Sequence, residues 1–156
     1  MAGVVHRDDL HDRGVPIAVP GLLEPSVGMV DPDVLDALLG VLGSATGSPD
    51  QVYVAIWDGF GHGEVAPFRG AARLPTAKRG HLLAEGSLDD LRSIEDGALP
   101  AAIWWPADRA WLVHTEVDYH WTFVAGATPL VAALLASPVL GVVADRFDGV
   151  ATRVPE

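Results

Sequence analysis

Nothing in this chain constrains the fold more than the stretch RAWLVHTEVDYHWTFVAG, residues 109 to 126. Trp111, Val113, Thr115, Val117, Tyr119, Trp121 and Phe123 occupy odd positions, and Leu112, His114, Glu116, Asp118, His120 and Thr122 occupy even ones. Successive side chains of a strand point to opposite faces. The alternation therefore predicts one apolar face and one face carrying His114, Glu116, Asp118 and His120. Thirteen residues are long for one strand, so a hairpin is expected. A three-residue turn at 117–119 keeps both faces intact, setting Glu116 opposite His120 and His114 opposite Thr122. A two-residue turn mixes the faces.

The rest of the chain supplies helices and further strands. Asp31 caps a helix with Pro32 in its first turn, and Val34, Leu35, Leu38, Leu39 and Leu42 recur at helical spacing, which predicts one buried stripe. QVYVAIW, residues 51–57, reads as a buried strand. The segment 58–79 is Gly- and Pro-bearing and reads as irregular, and 80–85 reads as a second strand. Ser87, with Asp90 three residues on, starts a short helix in a loose capping-box arrangement. Pro100 to Pro106 is a short strand or turn. Thr122 to Ala144 is uncharged for 23 residues, long enough to span a bilayer. Pro129 and Pro138 interrupt it, and Thr128-Pro129 reads as a helix start, so strand, short buried helix and strand fit better than a membrane span. The first 30 residues, with Pro16, Pro20 and Pro25, read as an extended N-terminal arm laid over the domain, with room for one short strand. The expectation is one domain over residues 1–156, α+β, with a mainly antiparallel sheet and about three helices packed on one face.

Charge and composition exclude several functions. Twenty-one acidic and ten basic residues leave a net charge of −11. That field repels nucleic-acid phosphates and anionic lipid and attracts basic partners. The acidity also serves solubility. Between Val65 and Ala84 there is no acid, yet Arg69, Arg73, Lys78 and Arg79 fall there, so that strip is +4 against −15 elsewhere. Such a strip either holds an anionic group or pairs with the protein's own carboxylates. The absence of cysteine rules out disulfides, thiol nucleophiles and thiolate-bound metals. The N-terminal sequence lacks the apolar run of a secretory signal, so a cytoplasmic protein is expected. The sequence sets no oligomeric state.

Three features invite a chemical reading. His114, Glu116 and His120 share a predicted surface and form a set that a divalent ion accepts or that supplies a general acid and base. Their spacing matches no metal signature, and a solvated polar face explains them equally well, so no metal or cofactor is expected. WDGFGHGE, residues 57–64, places three glycines after a strand, but no helix or Lys-Ser/Thr pair follows, and a tight turn is the better account. WWPADRAW, residues 104–111, carries three tryptophans that form either a binding platform or a core corner, with Asp108 and Arg109 holding the turn at Pro106. Alternation puts Trp104 and Trp105 on opposite faces. Trp105 and Trp111 are expected to be buried and Trp104 more exposed. No serine sits in a nucleophile motif.

The strings VAIWDGFG and IWWPADRAWLVHTEVDYHWTFVAG resemble a family of small uncharacterised proteins from high-GC bacteria. Its members share the WDGFG, WWPADRAW and TEVDYHWTFVAG segments. The likeness covers about residues 52–61 and 100–137, with Ala125 standing where the family usually has glycine, and it transfers no activity. In size, acidity and Trp-rich strands the chain also resembles SUKH-type immunity proteins, which are toxin-binding α+β domains, a likeness at fold level only. Two functions follow as expectations. One is a non-enzymatic, immunity-like module that binds a basic protein through Trp104, Asp108, His114, Glu116, Asp118 and His120. The other is a small metal- or ligand-binding enzyme built on His114, Glu116 and His120, with Arg69 or Arg73 holding an anionic substrate.

Overall fold

The computed structural model describes residues 2–6, 28, 30, 32–59, 70–75, 79–92, 101–118 and 122–146. The elements are β1 (Ala2–His6), α1 (Pro32–Ser44), β2 (Val52–Trp57), β3 (Ala72–Pro75), β4 (Gly80–Gly86), a short helix α2 at 90–92, β5 (Ala101–Pro106), β6 (Trp111–Thr115), β7 (Thr122–Gly126), α3 (Thr128–Ala136) and β8 (Val142–Arg146). The strands form one sheet in the order β3-β4-β2-β5-β6-β7-β1-β8, and every neighbouring pair is antiparallel. The class is α+β, as the pattern of elements predicts.

One core holds the helices to the sheet. Leu35, Leu38, Leu39 and Leu42 of α1, Leu88 and Leu91 around α2, and Leu130, Val131 and Leu134 of α3 all join Val52, Val54, Ile56, Trp104, Trp111, Val113 and Val124 in a single buried cluster. Side chains alternate along each strand, so sharing one cluster places all three helices on the same face of the sheet. The i, i+3, i+4 leucines of α1 are the stripe that this face requires.

The helix starts follow local chemistry. Ser87 and Asp90 make the reciprocal capping bonds expected of them. The Ser87 amide donates to Asp90 Oδ2 at 2.7 Å, and the Asp90 amide donates to Ser87 Oγ at 3.2 Å. In α3 the capping residue is Ala127 rather than Thr128, and no side chain caps the helix; Pro129 sits at its first positions, where no amide proton is needed. Asp31, the expected cap of α1, lies outside the described residues.

Several expectations are revised. Residues 2–6 form the one short strand considered for the N-terminal arm, and it lies within the sheet, between β7 and β8, while 7–27 lie outside the described residues. Residues 72–75, inside the segment read as irregular, form the edge strand β3, where Pro75 breaks no interior ladder. The β6–β7 hairpin has a different register from the one expected. Thr115 faces Thr122, His114 faces Phe123 and Val113 faces Val124. Six residues separate Thr115 from Thr122, and an even-numbered connection exchanges odd and even positions between the two strands. Val124, not Phe123, therefore continues the core face of Trp111 and Val113, and half-buried Phe123 shares the opposite face with His114. On the helix side the hairpin ends in a Thr115–Thr122 hydroxyl contact of 3.1 Å, with Thr115 buried.

No helix among the described residues is long and apolar enough to cross a membrane. The uncharged stretch 122–144 divides into β7, α3 and the start of β8.

Candidate functional site

Register and alternation define the face of the sheet that turns away from the helices. Tyr53, Ala55 and Trp57 of β2 lie beside Glu85, Leu83 and His81 of β4. Trp105 and Ile103 of β5 flank Tyr53 and Ala55 on the other side, followed by His114 and Leu112 of β6 and Phe123 of β7. An antiparallel sheet face that stands in water is normally polar. Here the aromatic side chains Tyr53, Trp57, Trp105 and Phe123 are each half-buried on it, and the rings of Tyr53 and Trp105 touch at 5.8 Å between centroids.

A polar cluster occupies one end of this face. Arg79, immediately before β4, lays its guanidinium over the Trp57 ring at 4.8 Å. The same guanidinium pairs with Glu116 at 3.2 Å and with Asp118. Glu116 turns its other oxygen toward His114, with Nε2 at 3.9 Å. His81 completes the cluster. It is 5% exposed, and its Nδ1 is buried with no hydrogen-bond partner. Nearby, Asp58 pairs with Arg73. Gly59 sits where a Cβ would run into the Trp57 ring, so the turn after β2 needs glycine for packing.

The surroundings of both imidazoles favour the neutral form. Burial pushes the His81 pKa down, and the neighbouring His114 and Arg79 lower it further against the opposing pull of Asp58 and Glu116. Burial also lowers His114, with Glu116 acting the other way. A neutral imidazole offers one donor and one acceptor, so the pair can hydrogen-bond to a ligand or transfer a proton. Among the described residues no three His, Asp or Glu side chains converge in a way that could hold a metal ion.

The candidate residues read from the sequence separate into three places. His114, Glu116 and Asp118 fall in the cluster, although not in the expected hairpin register, and His120 lies outside the described residues. Trp104, expected at the surface, is fully buried. Its strand pairs it with Val54 and Val113, both inward-facing, so it belongs to the core, where it meets Trp111 edge-on at 6.4 Å. Trp105, expected to be mostly buried, is half-buried and lies on the outer face beside Tyr53. Asp108 is a structural joint between two loops. Its carboxylate accepts from the Gly47 amide at 2.7 Å, from Thr46 Oγ1 at 2.9 Å and from the Ala110 amide at 3.1 Å, and its own amide donates to Ser48 Oγ at 3.1 Å. These bonds, rather than a pairing with Arg109, hold the turn after Pro106. They keep the Asp108 carboxyl below the usual carboxylate range.

Of the basic strip, Arg73 and Arg79 both pair with carboxylates of the chain itself; Arg69 and Lys78 lie outside the described residues. The sequence marks no role for His81, and it places Trp57 and Asp58 only within the WDGFGHGE segment read as a tight turn. The signal in the sequence was slight. His81 is a lone histidine before Leu82 and Leu83, and only the β2–β4 register sets it beside Trp57. No family model, curated protein or solved structure matches the chain.

Proposed function

We propose that the protein is a non-enzymatic binding module and that a basic protein docks on the outer face of the sheet. The observation that carries this reading is the aromatic content of that face, where Tyr53, Trp57, Trp105 and Phe123 take positions a solvated sheet would give to polar residues. Aromatic side chains anchor protein interfaces, and depletion of charge at the centre with charge at the rim is their usual layout. Glu85, Asp58, Glu116 and Asp118 stand around the aromatic positions, within a chain of net charge −11 that steers basic partners toward it. The likeness to SUKH-type immunity proteins in size, acidity and Trp-rich strands supports a toxin-like basic partner. Trp104 and Asp108 are not part of this proposed surface, because one is core and the other holds two loops together.

The test is capture of a basic protein from lysate by the immobilised chain at low and high salt. The comparison is between a Trp105→Ala/Phe123→Ala variant and a Leu135→Ser/Val139→Ser control on the helix side, where those residues are 46% and 52% exposed. Salt-sensitive capture that is lost in the first variant and retained in the control is expected. Equal capture by both variants, or none by the native chain, overturns the reading.

A further inference from the structure

We infer that His81, His114, Glu116 and Arg79 form a proton-operated latch on the outer face of the sheet, closed while both imidazoles are neutral and loosened when one takes up a proton. The inference rests on a shared carboxylate. Glu116 gives one oxygen to Arg79 at 3.2 Å and turns the other to His114 Nε2 at 3.9 Å. With His114 neutral, the charged guanidinium has the stronger claim, and Arg79 bridges Glu116, Asp118 and the Trp57 ring. A proton on His114 makes a second cation at the same carboxylate, whose charge Arg79 must then share.

The order of uptake follows from position. His114 is the more exposed of the two, and Glu116 is the charged group set against it. His81 is almost wholly buried and faces His114 from β6, Arg79 from the start of β4, Glu116 from the segment after β6 and Asp58 from the turn after β2. The first proton therefore enters at His114, and its charge keeps His81 neutral. Burial lowers both pKa values below the ordinary histidine range. Among the described residues the cluster sets the carboxylates of Asp58, Glu116 and Asp118 against the guanidiniums of Arg73 and Arg79, one net negative charge. A single proton cancels it. Where the outer face docks a basic partner as proposed above, mild acid weakens that docking.

The experiment is an NMR titration of the histidine Cε1–H resonances from pH 8 to pH 4.5. His81 and His114 are assigned by loss of their signals in His81→Gln and His114→Gln. Both are expected to titrate below the about 6.5 of a free histidine. Glu116→Gln should move the His114 midpoint further down, and His114→Gln should move the His81 midpoint up. Urea-unfolding midpoints, read in parallel, should fall between pH 7 and pH 5 in the native chain and flatten in a His81→Gln/His114→Gln variant. Ordinary, independent titration of the two histidines overturns the latch. So does a His114 midpoint that Glu116→Gln leaves in place, a readout that survives if His81→Gln fails to fold. None of these measurements involves the partner. Failed capture with an intact titration therefore counts against the binding reading and leaves the latch standing.

Discussion

Two buried tryptophans in contact with each other offer a controlled comparison. Trp104 and Trp111 are 0% and 2% exposed and pack edge to face. Replacing either by phenylalanine removes a similar volume from the same core, and each cavity costs less than the about 3–5 kcal/mol of truncation to alanine. Their indole N–H groups differ. Trp111 Nε1 donates to the Leu42 carbonyl near the C-terminal end of α1 at 3.0 Å, whereas Trp104 Nε1 is buried with no partner. Trp111→Phe therefore loses a net hydrogen bond of about 0.5–1.5 kcal/mol. The Leu42 carbonyl is not left orphaned, because it still accepts from the Ala45 amide at 3.0 Å. Trp104→Phe removes an unsatisfied donor whose desolvation costs the native state about 1–3 kcal/mol. The two variants should thus differ by roughly 2–4 kcal/mol, Trp104→Phe being the more stable. For a chain of this size that is about 5–15 °C in Tm. Urea unfolding followed by far-UV circular dichroism, with thermal melts alongside, measures the difference. If Trp104→Phe is as damaging as Trp111→Phe, the Trp104 N–H is satisfied in solution and the reasoning fails.

Three further outcomes are expected. Arg109 holds a positive φ of 57° in the turn after β5, so Arg109→Gly should raise stability by up to about 1 kcal/mol in a urea titration, while Arg109→Val lowers it. Gly28 combines a φ of 71° with a position where a Cβ would lie 2.8 Å from the Val117 carbonyl oxygen. Gly28→Ala should therefore lower stability by at least the roughly 1–2 kcal/mol of left-handed strain, read from the urea midpoint. The depressed Asp108 pKa contributes stability that is fully present at neutral pH and lost as pH falls through the folded-state value, below the about 4 of a free carboxyl. Thermal melts should show that acid-side decline, and Asp108→Asn should lower Tm at pH 7 and flatten the decline.

The sequence alone determined which segments become strands and helices wherever local pattern and burial agree. The leucine spacing of α1, the β-rich run of β2, the Ser87–Asp90 capping pair and the division of residues 122–144 into strand, helix and strand are all local signals, and each corresponds to an observed element. Faces and partners were decided by the tertiary structure. Alternation separates Trp104 from Trp105, but only pairing with Val54 and Val113 turns Trp104 inward, because a strand carries no record of which side the helices will cover. The six residues between Thr115 and Thr122 exchange the two faces of the hairpin, so Phe123 joins His114 instead of the core. Arg79 finds Glu116 and Asp118 nearly forty residues along the chain, and His81 meets Trp57 only through the β2–β4 ladder. Side-chain period is a property of one strand, whereas a site on a sheet is a property of register between strands, and register is set by long-range hydrogen bonding and the shared core.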